Sequence, residues 1–136
     1  MNQPLVRVTT GRRRWLVRVE DLREVVPMMA LAQVDGQRGD CRGVLNLRGE
    51  LVPVFDGSGE GTSEAAALDP SRLILVLRAG GGQVGLMVDE AHEVLFVPAT
   101  ALTPHPVGGG LTRQMVLVGE ELFTVLEPGE VALHGG

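Results

Sequence analysis

The sequence predicts a mainly β protein, an antiparallel barrel or sandwich, and three observations point that way. About nine short runs rich in Val and Leu recur along the chain, separated by glycine-containing turns. At Gly49-Glu50 and again at Gly119-Glu120, a glycine and one further residue stand between apolar runs, the pattern of a two-residue hairpin. Helical periodicity is confined to short pieces. The 136 residues read as one domain, 1–136, long enough to bury a sizeable core.

In order, residues 5–8 and 15–19 predict a first hairpin around the polar stretch 9–14. Val19, Leu22, Val25 and Val26 then follow i, i+3, i+6, i+7 spacing, with Glu20 and Asp21 where acidic residues suit a helix start. A short helix over 19–26, closed by Pro27, is the expectation. Residues 28–40 carry weak periodicity and read as an irregular connection with room for one strand.

The stretch 42–56 is the second hairpin. With Gly49 and Glu50 as its loop, Arg48 opposes Leu51, Leu47 opposes Val52, Asn46 opposes Pro53, Leu45 opposes Val54 and Val44 opposes Phe55. Leu45, Leu47, Val52 and Val54 then share a wholly apolar side, while Asn46 and Arg48 mix with Val44, Leu51, Pro53 and Phe55 on the other. A mixed face of that kind suits contact with another protein; the plain alternative is a half-buried hairpin with two solvated polar residues. Pro53 has no N–H to donate, so the strands are expected to diverge or bulge there, or that strand to lie at an edge.

Residues 57–64 read as a flexible loop and 65–68 as one helical turn before Pro70. The unbroken apolar run 73–77 predicts a strand buried on both faces, turned back at Gly80, Gly81 and Gly82 into 84–88. Residues 94–97 predict another strand and 98–110 a Pro- and Gly-rich connection. Residues 115–118 and 122–126 flank Gly119-Glu120, and 127–133 predict a last helical turn before a fraying end.

Composition narrows the function. A net charge of −5 argues against nucleic-acid binding, which needs a concentrated basic face. The run Arg12-Arg13-Arg14 is the local exception and reads as a solvated loop tip. A single cysteine, Cys41, excludes an internal disulfide and a thiolate zinc site. With no basic-then-apolar leader and no apolar run near the ~20 residues of a membrane helix, a cytoplasmic protein without membrane insertion is expected.

Catalytic constellations are weak. Asp56-Gly57-Ser58-Gly59 invites an aspartic-protease reading, but in those enzymes the small hydroxyl residue follows the Asp directly, and here Gly57 intervenes. Gly57, Gly59 and Gly61 do not match a dinucleotide loop: the third glycine comes one position early and Glu60 and Glu64 repel phosphate. His92, His105 and His134 lack metal-ligand spacing, and no serine sits in a nucleophile elbow. No metal, cofactor or enzymatic activity is expected.

The run Gly43-Val44-Leu45-Asn46-Leu47-Arg48-Gly49-Glu50-Leu51-Val52-Pro53-Val54-Phe55-Asp56 resembles a motif of the CheW-type chemotaxis coupling proteins: Gly-Val-Ile-Asn-Leu-Arg-Gly, two variable aliphatics, then Pro-Val-Ile-Asp. Leu22-Arg23-Glu24-Val25-Val26 is similar to the family's Val-x-Glu-Ile helix. Gly85-Leu86-Met87-Val88-Asp89, continuing to Glu93-Val94-Leu95, is similar to its Gly-Leu-x-Val-Asp and Glu-Val-Leu segment, and Pro104 and Pro106 fall at its Pro-x-Pro. The resemblance implies two intertwined five-stranded β-barrels packed side by side around a shared apolar interior. It also implies a non-catalytic adaptor that binds the cytoplasmic signalling tip of a chemoreceptor and the CheW-like regulatory domain of the histidine kinase CheA. On that resemblance Asn46, Arg48, Val44, Glu24 and Val25 are the partner-binding residues, Gly43 and Gly49 set backbone geometry, and Asp89 is a structural acceptor at its turn. Gly57 to Gly61 replaces the family's Leu-Arg continuation, the last hairpin is shortened, and Pro128-Gly129 disrupts the closing helix. An accessory adaptor that binds one partner only is therefore an alternative, and a small dimeric aspartic hydrolase using Asp56 is the alternative from another class.

Overall fold

The computed structural model describes residues 2–33, 41–57 and 69–134. Residues 58–64 of the loop expected at 57–64, the helical turn expected at 65–68, residues 34–40 of the connection expected at 28–40 and the last two residues lie outside them. Eleven strands are described: β1 (Asn2–Thr10), β2 (Arg13–Arg18), β3 (Leu22–Pro27), β4 (Cys41–Leu47), β5 (Glu50–Asp56), β6 (Leu73–Ala79), β7 (Gly82–Val88), β8 (Glu90–Pro98), β9 (Thr103–Gly108), β10 (Leu111–Val118) and β11 (Glu121–Val125). One α-helix, α1 (Pro128–His134), follows them. Pro128 opens this helix rather than breaking it, because the first helical positions have no internal acceptor for an N–H.

The strands form a six-stranded sheet, ordered β8-β1-β2-β11-β10-β9, and a five-stranded sheet, ordered β3-β6-β7-β5-β4. The chain starts in the first, builds the whole of the second and returns, so the six-stranded sheet is assembled from both ends of the sequence. Pairing is antiparallel except where β11 meets β2 and β5 meets β7. The fold is thus mainly β in two small β subdomains, as expected, although the described sheets have six and five strands rather than five each and neither is a barrel closed by a ladder.

Among the described residues three apolar clusters fill it. One lies between the sheets and draws on both, with Val6, Val8, Trp15 and Val17 meeting Phe55, Leu75, Leu77 and Leu86. A second lies inside the five-stranded sheet around Leu45, Val52, Val54 and Ile74. The third lies inside the six-stranded sheet around Leu5, Leu16 and Phe123. β6 feeds two of them, Leu75 and Leu77 on one side and Ile74 and Val76 on the other, as a strand buried on both faces must.

Two segments depart from their sequence signals. The expected helix over 19–26 is a single 3-10 turn (Val19–Asp21) followed by β3, which pairs with β6 from Leu22↔Leu77 to Pro27↔Leu73. The apolar spacing there fits both periods, and the strand wins because Val25 and Val26 are β-branched and β6 offers an unpaired edge. The connection expected at 98–110 contains β9, an edge strand on β10. Pro104 and Pro106, two residues apart, put their missing N–H groups on the same side, which an edge strand tolerates.

The candidate partner-binding surface

The β4–β5 hairpin turns one residue earlier than its glycine implied. Leu47 pairs with Glu50, so the loop is Arg48-Gly49, and the pairs run Asn46↔Leu51, Leu45↔Val52, Val44↔Pro53 and Gly43↔Val54. Both loop residues have positive φ, 52° at Arg48 and 87° at Gly49, the requirement of the type I′ turn whose twist matches a hairpin. Asn46 Oδ1 accepts the Gly49 N–H at 2.9 Å and ties the turn back to β4.

The apolar face survives the shift. Leu45, Leu47, Val52 and Val54 are all buried, since moving the turn by one residue changes each pairing by two and leaves the pleat unchanged. Phe55 leaves the mixed face and is buried between the sheets. Pro53 causes neither a divergence nor an edge. It opposes Val44, whose own main chain points away from β5 and exchanges hydrogen bonds of 2.8 and 2.9 Å with Ala32. Pro53 is therefore in a non-hydrogen-bonded pair, and its nitrogen faces β7 at a point before that parallel ladder begins at Val54. The bulge lies further along, between Cys41 and Gly43.

Gly43 has φ 147°, and a Cβ there would meet Leu31 Cβ at 2.7 Å and the Ala32 carbonyl at 3.0 Å. It lets the segment after β3 close onto β4. That closure is also visible in side chains. Arg48, at the tip of the hairpin, forms a salt bridge with Glu24 on β3, and Arg23 on β3 reaches Glu50 at 3.4 Å. In a flat five-stranded sheet β3 and β4 would stand roughly 19 Å apart, four strand spacings. The sheet is curled until its two edges meet, which brings Glu24 to Arg48 at the rim formed by the hairpin tip, with Val25 next along β3 and Asn46 and Val44 further back on β4.

On that rim Val25 and Leu51 are exposed, Val44 is half-buried, and Arg48 and Glu24 hold each other across the gap. The hydrogen bond from Arg48 holds the Glu24 carboxyl below its ordinary range and raises the guanidinium in turn. Leu51 belongs to the mixed face that the sequence defines, and only its exposure of 66% distinguishes it as a contact. Glu50, read in the sequence as a loop residue, is a pairing residue whose carboxylate also accepts from Gln83.

Asp89 stands apart, at the junction of the sheets. Its Oδ2 accepts the Gly11 N–H at 2.6 Å, so it holds the β1–β2 turn rather than its own. Its Oδ1 lies 3.1 Å from Arg72 Nε, and Arg72 grips Asp56 through two hydrogen bonds of 3.1 and 2.9 Å. Asp56 is 5% exposed and both oxygens face that guanidinium, an arrangement for structure and not for sharing a catalytic proton. Among the described residues no group of His, Cys, Asp and Glu is placed to hold a metal ion. No helix there is long and apolar enough to cross a membrane.

A family model described as the CheW-like domain matches residues 4–134. The chain is 23% identical to the chemotaxis protein CheW of Klebsiella aerogenes, covering 98% of this chain and 87% of that protein. It is 27% identical to the protein PilI of Pseudomonas aeruginosa, covering 93% of this chain and 73% of that one. The crystal structure of the scaffolding protein TtCheW from Thermoanaerobacter tengcongensis superposes with a TM-score of 0.81 at 20% identity, over 93% of this chain and 90% of that chain. With its curled sheet, its motif-bearing hairpin and a family match from end to end, the chain belongs to the CheW-like domain family.

Proposed function

We propose that this protein is a non-catalytic scaffold of a chemosensory assembly, which couples the cytoplasmic tip of a chemoreceptor to the regulatory domain of a CheA-type histidine kinase. The observation that supports it most is Arg48. Among the described residues it is the only non-glycine residue with positive φ, at the tip of a hairpin where Asn or Gly would sit without strain. A strained residue kept in place argues for a role at the surface it presents. Its side chain is 65% exposed and salt-bridged to Glu24. Such a rim, polar at its centre with Val25 and Leu51 beside it, suits a partner of moderate affinity.

Pull-down of the purified chain on a receptor cytoplasmic tip, and separately on the kinase regulatory domain, tests the reading. Arg48→Glu should repel Glu24 and Glu50 and weaken at least one of the two interactions about tenfold or more, with circular dichroism unchanged. Unaltered binding of both partners by a folded Arg48→Glu protein would remove the hairpin rim from the interface.

A further inference from the structure

The run Arg12-Arg13-Arg14 has a place in the fold that its sequence does not disclose. Gly11 and Arg12 form the β1–β2 turn, and Arg113 arrives beside them from β10. The Arg13 and Arg113 guanidinium carbons stand 5.7 and 5.9 Å from the centroid of the Trp15 ring, within cation–π range. Arg14 reaches Glu121 at 3.4 Å and Arg113 reaches Glu130 at 2.9 Å. Four arginines thus surround an open groove of about 540 Å³ that Leu111, Leu122 and Thr124 also line.

The groove exists because two strands part. β2 and β11 are paired in parallel only at Thr124↔Trp15 and Val125↔Leu16. Upstream of Trp15 no ladder pair joins them. Arg13 pairs with Thr10 directly beside the two-residue turn, so by alternation Arg14 turns its main chain toward β11, its C=O accepting the Thr124 N–H in the last ladder pair and its N–H lying beyond it. Leu16, two residues on, uses that same side to accept the Leu126 N–H at 2.9 Å. On the opposite wall Glu121 pairs with Val118 beside its turn, so Leu122 turns its main chain toward β2. The Arg14 N–H on one wall and the Leu122 main chain on the other have no ladder partner among the described residues and face each other across the gap. Trp15 at its inner end is 6% exposed, and its indole N–H has no acceptor among the described residues. Leu111 and Leu122 are exposed at the rim.

We propose that this groove is a docking site for an extended acidic peptide segment of a partner protein. Free main-chain groups on both walls suit an extended backbone. The arginines suit carboxylates and the leucines suit apolar side chains set between them. A free phosphate would use the arginines but neither the strand edges nor Leu111 and Leu122. The site is separate from the hairpin rim, so its failure leaves the scaffold reading intact.

Trp15 is the sole tryptophan in a chain without tyrosine, so intrinsic fluorescence reports on the groove directly. The full chain is titrated with a short peptide alternating Glu and Leu, with its Gln and Leu counterpart, and with inorganic phosphate, while sedimentation follows self-association. A saturable change with the Glu peptide is expected, weakened as salt rises from about 50 to about 300 mM. The Gln peptide should leave the signal unchanged. Arg13→Gln with Arg113→Gln should weaken the Glu peptide about tenfold. Should that double variant fail to fold, Arg12→Glu, at an exposed turn position, is expected to weaken it several-fold. Equal binding of the Gln peptide, or no effect of either variant once folded, overturns the proposal. So does the same saturable change with phosphate alone, or a change that follows dimerisation.

Discussion

Two arginine–carboxylate pairs in this molecule use the same chemistry for opposite ends. Arg72 and Asp56 are each 5% exposed and meet through two parallel hydrogen bonds where the sheets join. Arg48 and Glu24 are 65% and 28% exposed and meet across the rim of the curled sheet. A buried pair whose partner is removed leaves a charge in a low-dielectric site, whereas an exposed charge returns to water. The first pair is thus tied to folding. The second is free to act in recognition, because changing it does little to the fold. The junction pair also anchors a short relay: Asp89 connects Arg72 to Gly11, the Asp89 N–H donates to the Thr9 carbonyl at 3.0 Å, and Thr10 Oγ1 donates to the Gly57 carbonyl at 2.7 Å. A partly buried charge cluster therefore ties the six-stranded sheet to the five-stranded one.

The largest effect expected from this contrast is in Asp56→Ala, which leaves the buried Arg72 with Asp89 as its one remaining carboxylate and should lower unfolding free energy by about 2–4 kcal/mol in urea denaturation at neutral pH. Replacing both partners with apolar residues, Asp56→Leu with Arg72→Met, should recover a large part of that loss. A double variant as unstable as the single one would break the comparison, since the pair would then be needed for more than mutual neutralisation.

An intermediate effect separates the two glycines of the hairpin. Gly43→Ala forces a Cβ against the Leu31 and Ala32 backbone segment and should destabilise by about 1–3 kcal/mol. Gly49→Ala meets open space and carries only the strain of its φ of 87°, about 1 kcal/mol. Equal losses at the two positions would mean that closure of the sheet at Gly43 contributes nothing beyond backbone strain.

The smallest effect is the pH dependence of the exposed pair. The Glu24 carboxyl is lowered in the folded state from its ordinary 4.5, first by the hydrogen bond from Arg48. Its contribution is fully present above that ordinary value and is lost as the pH falls through the lower, folded one. Wild type and Arg48→Gln should therefore differ slightly in denaturation midpoint near neutrality and converge in acid. A difference that grows toward acid would have the wrong sign for this pair.

The hairpin shows why some of this was legible and some was not. Its buried face was readable from alternation alone, and remained correct with the turn misplaced by one residue, because pleat parity does not depend on the exact loop. The turn is less legible because Gly49 reads as the first loop residue, while Arg48 occupies the left-handed position that glycine signals. β3 was hidden by an apolar spacing that serves helix and strand alike, and β9 by two prolines that only an edge makes acceptable. Asn46, Arg48, Val44, Glu24 and Val25 were picked out by resemblance to a motif. That Glu24 meets Arg48 follows from the curl of the sheet, which no local pattern encodes.

By itself the sequence determined the β class, the apolar faces and most of the turns, since these depend on residues a few positions apart. Tertiary structure alone decided which charges meet. Arg72 finds Asp56 and Asp89 at the sheet junction, Arg48 finds Glu24 across a curled edge, and Arg113 joins Arg12, Arg13 and Arg14 around Trp15. The physical reason is range: side-chain alternation is set by neighbouring peptide units, while an ion pair between distant residues exists only where packed sheets bring their strands together.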